Sequence, residues 1–213
     1  MKKILLTSAA VAVLASSSAY AMQDTFYVKA QAGWSKMSEL KIEGTKFKSN
    51  NDMSFGVGAG YHVMDNVRVD LTFDHFVNPT YKSKDSKILD FKVKGDVNTL
   101  LMNGFVDLFD ADVAKVFAGA GVGVSQVKAK MTATLDGKEL QGSDKAKQKY
   151  NLAFAAYLGT SYEFTPGVTG ELTYSYRDMG KTKKFKDSDG NTAGAGTLHY
   201  KGHNIGAGVR FDI

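Results

Sequence analysis

The feature that most constrains this chain is the spacing of its apolar residues, which recur at every second position over eight separate segments and nowhere keep a helical period. Successive side chains of a strand point to opposite faces of a sheet, so this spacing predicts β-strands. In the final stretch, NIGAGVRFDI, the alternate positions from Ile205 to Ile213 are apolar, whereas Arg210 and Asp212 fall between them. We predict strands at residues 25–34, 52–63, 67–76, 97–109, 113–127, 150–164, 168–177 and 198–213.

The connections between these segments alternate between short and long. Residues 64–66, 110–112 and 165–167 are rich in turn-forming types. The four remaining connections are long segments, at about residues 35–51, 77–96, 128–149 and 178–197. Short turns at one end and long loops at the other are typical of outer-membrane barrels, which also have an even number of strands. The predicted strand lengths are near those that a tilted strand needs to cross a bilayer.

The two faces of the strands indicate which side of such a barrel meets lipid. One face is apolar and carries aromatic residues near the strand ends, where they suit a lipid interface. The other carries charged residues and two runs of glycine, and eight strands leave an interior just wide enough for side chains. We therefore predict an all-β, eight-stranded antiparallel up-and-down transmembrane β-barrel, with its apolar face outside. In lipid every backbone group must be paired, so the last strand is expected to pair with the first.

The inward face predicts a polar network in the barrel. All three arginines of the chain fall on it, and the fork of an arginine suits bidentate pairing with carboxylates. Because buried charges must be paired, we expect a salt-bridged plug, although the same residues could line a pore. The candidate members are Lys29, Arg68, Asp70, Asp74, Asp107, Lys115, Glu163, Glu171, Arg177 and Arg210.

The first 21 residues have the pattern of a secretory signal peptide. A basic MKK is followed by an apolar stretch and by the small-x-small pattern Ala19-Tyr20-Ala21. The apolar run is shorter than the about 20 residues of a membrane-spanning helix. The predicted organisation is a signal peptide at 1–21 and an outer-membrane barrel at 22–213.

Few residues of the chain suggest chemistry. The absence of cysteine excludes thiol nucleophiles and disulfides, and the four histidines lack the spacing of metal ligands. The glycine runs precede no helix and no Lys-Ser/Thr pair that could hold a phosphate. We predict no catalytic residue, no metal and no cofactor. Asp74 and His75 form the nearest candidate pair, and they leave a lipid-modifying barrel as an alternative.

Lysine is concentrated in the four long segments. With a formal net charge of +5 and a pI near 9.1, the chain could attract polyanions, but nucleic acid is an improbable partner for an exported barrel. These lysines could bridge lipopolysaccharide beside the barrel, or they could capture acidic protein segments or sulfated glycans. The candidate ligand-binding residues are Lys145, Lys147, Lys149, Lys181, Lys183, Lys184 and Lys186.

Several blocks resemble a known family. GAGYHVMDNVRVDLTF, KVFAGAGVGVS, GTSYEFTPGVTGELTYSYRDMGKTK and HYKGHNIGAGVRFDI are similar to small OmpX/Ail-type and OmpA-type barrels and, more closely, to rickettsial Adr adhesins. The resemblance implies an outer-membrane protein with surface-exposed loops that binds host surface or serum protein such as vitronectin. It also implies attachment, complement resistance and no catalytic residues. The barrel assembly machinery is an expected partner, although such barrels usually end in Phe and this chain ends in Ile213.

Overall fold

A computed structural model describes residues 24–37, 40–42, 45–49, 51–77, 80–83, 89–111, 114–135, 138–139, 144–181 and 199–213. The predicted signal peptide at 1–21 lies outside these ranges and stays a prediction. Within the described ranges, no helix is long and apolar enough to cross a membrane.

The described residues form twelve strands, eight of which form the wall of the barrel. The wall strands are β1 (Phe26–Met37), β4 (Asn51–Met64), β5 (Val67–Phe76), β7 (Leu89–Ala111), β8 (Ala114–Leu135), β10 (Asp144–Thr165), β11 (Val168–Lys181) and β12 (His199–Asp212). Four short strands lie in the connections at one end: β2 (Leu40–Ile42), β3 (Thr45–Ser49), β6 (Thr80–Ser83) and β9 (Lys138–Glu139). This end is called the loop end below, and the opposite one the turn end.

The wall closes on itself. Each wall strand pairs antiparallel with its neighbours in chain order, and β1 pairs with both β4 and β12. The β1–β12 register runs from Tyr27 opposite Asp212 to Met37 opposite Gly202, and the Ile213 N–H donates to the Phe26 carbonyl at 2.7 Å. The predicted eight-stranded antiparallel barrel and the pairing of its last strand with its first are confirmed.

The two faces of the wall are divided as predicted. The outer face is apolar, and Ile205 of β12 is 56% exposed there. The inner face is polar, and Arg210 on the same strand is only 2% exposed. An apolar exterior around a charged interior is the reverse of a soluble barrel, and it is stable only where lipid covers the outside.

The strands at the loop end are longer than predicted. β7 begins at Leu89, β8 runs to Leu135 and β10 begins at Asp144, so parts of the segments predicted as loops at 77–96 and 128–149 are strand. The short strands β2 and β3 likewise occupy part of 35–51. The prediction extended each strand only as far as its outward positions are apolar. The strands continue beyond the last of these positions.

The polarity of the two faces reverses where the predicted strands ended. Along β7 the outer positions change from Leu100 to Asn98 and Asp96, while the inner position Val97 is fully buried. On β8, Val127 lies directly opposite Val97 and is also buried. At this level the wall has the pattern of a barrel in water, with polar residues outside and apolar residues inside. The reversal therefore marks the boundary between lipid and water on the wall.

Replacing Leu71 by Arg tests the lipid-facing surface. Leu71 lies in the middle of β5 and is 52% exposed, so L71R should lower the free energy of unfolding in phospholipid bilayers by about 2–4 kcal/mol. Y150R, on the outer face at the loop end, should cost only about 0–1 kcal/mol because arginine is tolerated near the interface. Guanidinium unfolding in vesicles measures both variants. Equally small losses would mean that lipid does not surround the middle of the barrel.

Candidate functional site

The interior near the turn end is held by two arginines that share one carboxylate. Arg68 Nη1 lies 2.7 Å from Asp107 Oδ1, and Arg68 Nη2 lies 3.4 Å from Glu171 Oε1. Arg210 Nη1 reaches the same Glu171 oxygen at 2.9 Å, and Arg210 Nε lies 3.4 Å from Asp212. These charges are largely removed from water. An unpaired ion in such a buried site costs several kcal/mol. The shared carboxylate ties β5, β11 and β12 together across the barrel.

Aromatic rings stack against these cations. The Arg68 guanidinium lies 4.8 Å from the ring centroid of Phe105 and 4.5 Å from that of Phe117, and the two rings meet edge to face. Arg210 lies 5.4 Å from the Tyr27 ring. A desolvated guanidinium over an aromatic face is stabilised by the ring quadrupole. These rings are not among the predicted interior residues, but Tyr27 alternates in step with Lys29, and Phe117 with Lys115.

The middle of the barrel centres on Asp70. Its carboxylate lies 2.7 Å from Lys29 Nζ, and it accepts hydrogen bonds from Asn103 Nδ2 at 2.6 Å and from the Tyr27 hydroxyl at 3.2 Å. The Tyr157 hydroxyl donates to Asn103 Oδ1 at 3.0 Å. Because the donors come from β1, β7 and β10 and Asp70 belongs to β5, this network fixes four strands against one another.

Towards the loop end, Asp74 holds a second ion pair. Arg177 Nη1 lies 2.7 Å from Asp74 Oδ2, and Gln31 Nε2 donates to Asp74 Oδ1 at 2.6 Å. Arg177 Nε also donates to the Ser175 hydroxyl at 3.2 Å. An almost completely buried apolar layer lies beyond this pair, formed by Phe76, Val97, Val127, Met179 and Tyr200.

The predicted interior residues thus fall into connected groups, with one exception. Lys115 Nζ lies 3.9 Å from Asp107, so each of the five predicted cations has a carboxylate within 4.0 Å. Glu163 lies on the inner face at the turn end of β10, opposite the buried Thr169, and its carboxylate accepts a hydrogen bond from the Gly167 N–H at 3.3 Å. A void of about 10 Å³, roughly the space of one water molecule, lies beside Lys29 and Thr72. The described interior is filled, and it can hold little beyond its own side chains.

A chain of hydrogen-bonding groups crosses the outer face at the loop end. His75 Nδ1 lies 2.7 Å from Asn98 Oδ1, Asn98 Nδ2 donates to Gln126 Oε1 at 3.4 Å, and Gln126 Nε2 donates to the Tyr150 hydroxyl at 3.1 Å. We call these four residues the polar belt. The belt follows directly on the exposed apolar residues Leu100, Val124 and Leu152 along β7, β8 and β10, which is the level of a lipid headgroup.

The polar belt contains one member of the candidate enzymatic pair, Asp74 and His75. His75 belongs to the outer face, whereas Asp74 is buried in the interior with Arg177. Neighbouring residues of a strand point to opposite sides, so the two cannot act as a catalytic dyad. Among the described residues, no group of three or more metal-ligating side chains could hold a metal ion.

The candidate ligand-binding lysines do not form one group. Lys145 lies opposite Lys130 on β8, whereas the half-buried Lys149 lies opposite the inner residue Val127. A bulge between residues 146 and 149 changes the alternation, so the structure separates Lys145 and Lys149, which the sequence grouped together, onto opposite faces. Lys147 lies in β10, and Lys181 is exposed at the end of β11. Lys183, Lys184 and Lys186 lie outside the described residues.

Comparison with known families supports the architecture. Residues 7–211 match the family of outer membrane protein β-barrel domains. The chain belongs to this family. It is accordingly an outer-membrane protein whose strands cross the membrane repeatedly. Its relatives include a candidate adhesin of Rickettsia conorii, 38% identical over 93% of this chain and 86% of the relative. Another candidate adhesin, of Rickettsia rickettsii, is 36% identical over the whole of both chains.

Solved structures share this family's fold at lower identity. Neisserial surface protein A matches 92% of this chain and 100% of its own, with a TM-score of 0.54 and 22% identity. The outer membrane protein AlkL matches 93% and 94%, with a TM-score of 0.55 and 14% identity. The outer membrane protein OprG of Pseudomonas aeruginosa matches 89% and 97%, with a TM-score of 0.53 and 18% identity. These likenesses concern the fold alone.

The Arg177–Asp74 pair offers a test of the interior network. R177M leaves the buried Asp74 carboxylate without its cation and should lower the free energy of unfolding by about 3–5 kcal/mol. In R177M/D74N the charge is removed from both partners, and Gln31 can still donate to the amide oxygen, so at least half of that loss should be recovered. The fluorescence of Trp34, the single tryptophan, reports unfolding in vesicles. Equal losses in the two variants would contradict a charge-paired interior.

Proposed function

We propose that this protein is a surface adhesin that binds a host surface or serum protein, of which vitronectin is the first to test. The lysines at the loop end would provide the binding surface, with the loops facing outward from the cell. Capture of a serum protein there would contribute to attachment and to complement resistance. The observation that carries the proposal is the position of Lys181, exposed at the loop-end terminus of β11 and followed by three further lysines within five residues.

The filled interior supports a role at the surface. The paired charges and the apolar layer around Val97 leave little room in the described barrel for a substrate or a solute path. A rigid scaffold that presents variable segments at one end is a common arrangement for binding proteins. The candidate adhesins among the rickettsial relatives point in the same direction.

Electrostatic attraction extends the proposed site beyond the distance of direct contact. Lys181, Lys183, Lys184 and Lys186 fall within six residues, and a cluster of one sign attracts an acidic protein segment over about one Debye length, about 8 Å at physiological salt. Lys145 and Lys147 of β10 belong to the same proposed surface. Lys149 is less suited to it, because its position belongs to the inner face.

The fourth-loop lysines can be tested by charge removal. K181Q/K183Q/K184Q/K186Q should weaken binding of vitronectin to the refolded barrel in neutral lipid nanodiscs by about tenfold or more, and it should flatten the salt dependence of binding. Surface plasmon resonance at several salt concentrations gives both quantities. The charge-preserving variant with arginine at the four positions should retain binding.

A second variant with the same loss of charge serves as the control. K82Q/K92Q/K94Q/K130Q changes four lysines of β6, β7 and β8 and should retain most of the vitronectin affinity. Unchanged affinity in the fourth-loop glutamine variant would reject the charge mechanism at that loop. Absence of binding by the unmodified barrel to vitronectin and to whole serum proteins would reject the adhesin itself.

A further inference from the structure

Two contacts in the interior reach across β1 and join its two neighbours in the wall. Asn204 Nδ2 of β12 donates to the Ser54 hydroxyl of β4 at 2.7 Å, and it also donates to the Ser35 hydroxyl of the intervening β1 at 2.6 Å. Near the turn end, His62 Nε2 of β4 lies 3.1 Å from Asp212 Oδ1 of β12. The junction of β1 and β12 is the seam of the barrel, so we call the Asn204–Ser54 and His62–Asp212 contacts the seam clasps.

Both clasps depend on the same alignment of β12 with β4. In each clasp the two residues are 150 positions apart in the chain. Because β12 and β4 are both antiparallel to β1, they run parallel to each other. A shift of β12 along the wall would therefore separate both pairs at once.

The clasps are buried, and glycine makes room for one of them. Asn204 is only 7% exposed, and its amide lies against Gly33, where a Cβ would be 3.0 Å from Asn204 Oδ1. His62 is 3% exposed, and its ring packs against the ring of Tyr27 with the centroids 5.0 Å apart. A buried donor that loses its partner carries its full desolvation cost. The observed alignment, which gives Asn204 two hydroxyl acceptors, is thereby favoured over its neighbours.

The seam differs from the other junctions of the wall because no connection limits its register. The other neighbouring wall strands follow one another along the chain, whereas β1 and β12 are the first and the last strand of the wall. A slip of one residue would turn the apolar outer residues inward, but a slip of two residues, about 6.8 Å, keeps every residue on its own face. The inner positions Gly33, Gly206 and Gly208 have no side chain that could oppose such a slip, and glycine-rich strands specify register weakly.

We propose that the seam clasps select the register at which the barrel closes, by disfavouring a two-residue slip of β12 along β1. The stagger of the strands and the width of a barrel are linked, so a slipped seam would also close a barrel of different width. In that barrel Asn204 and His62 would lose their partners on the opposite side of β1. The proposal concerns assembly of the barrel, and it does not depend on the proposed adhesin function.

The experiment reads the register from disulfides formed across the outside of the seam, since the chain has no cysteine of its own. Trp34 and Ile205 are directly opposite each other and exposed, so W34C/I205C reports the observed register. A32C/I205C and W34C/A207C report slips of two residues in the two directions. Opposite Cβ atoms are about 5 Å apart and diagonal ones about 7–8 Å, so only the opposite pair is oxidised readily. The full-length protein is refolded into lipid vesicles and oxidised briefly, and mass spectrometry gives the disulfide yield.

The clasps are removed together in N204A/H62F, which keeps an aromatic ring against Tyr27. With the clasps present, only the W34C/I205C pair should form a disulfide in high yield. In the N204A/H62F background, the yield of at least one slipped pair should rise about tenfold, because the two buried contacts no longer favour the observed register.

A matched control removes two buried hydroxyls elsewhere in the wall. In Y157F/S125A the lost contacts are those of Tyr157 with Asn103 and of Ser125 with the Met179 carbonyl, each of which also reaches across one wall strand. This variant should lose stability and keep the observed seam register.

Two results would overturn the proposal. One is a slipped yield in N204A/H62F no higher than in the protein with intact clasps, and the other is an equal rise in Y157F/S125A, which would indicate general destabilisation. Should N204A/H62F fail to fold, N204A alone decides: it retains the His62–Asp212 clasp and should still give more slipped product than the protein with both clasps. Exclusive formation of the W34C/I205C disulfide in the N204A background would then reject the role of Asn204.

Discussion

Closure of the backbone hydrogen bonds is the constraint on which the rest of this structure depends. A strand in lipid has no water to satisfy its N–H and C=O groups, so the sheet can have no open edge within the membrane. The pairing of β12 with β1 meets this requirement at the seam. Eight closed strands in turn fix a narrow interior, which only side chains can fill. Closure thus determines both the apolar outside and the crowded polar inside.

The crowded interior explains which residue types occupy the inner face of the barrel. Every arginine of the chain lies there, each close to a carboxylate, and Arg68 and Arg177 also stack on aromatic rings. Glycine provides the space: a Cβ at Gly56 would meet the Asp74 carboxylate, and one at Gly60 would meet the Tyr27 ring. The glycine runs are therefore complementary to the charged network. A substitution there would displace groups that already have partners.

Much of this could be predicted from the sequence, and the failures share a physical cause. The eight wall strands and the inward position of residues such as Arg210 followed from alternation alone. The strand extensions beyond Asn98 and Gln126 were missed because the predicted pattern assumed lipid outside, and there the outside is water. The position of Lys149 opposite an inner residue could not be predicted for a local reason, since a bulge interrupts the alternation that the prediction extrapolates. Cross-strand neighbours such as Lys94 and Lys130 depend on register, which a single strand does not encode.

The same residue type consequently has different physical roles at different heights of one wall. Lys29 lies in the interior, where a carboxylate at 2.7 Å compensates its desolvation. Lys128, just beyond the polar belt, lies opposite an aspartate. Lys181 is exposed at the loop-end terminus of β11. Since sequence composition counts all of these as one positive charge each, net charge alone cannot distinguish structural lysines from binding lysines. Their depth and register in the barrel make that distinction.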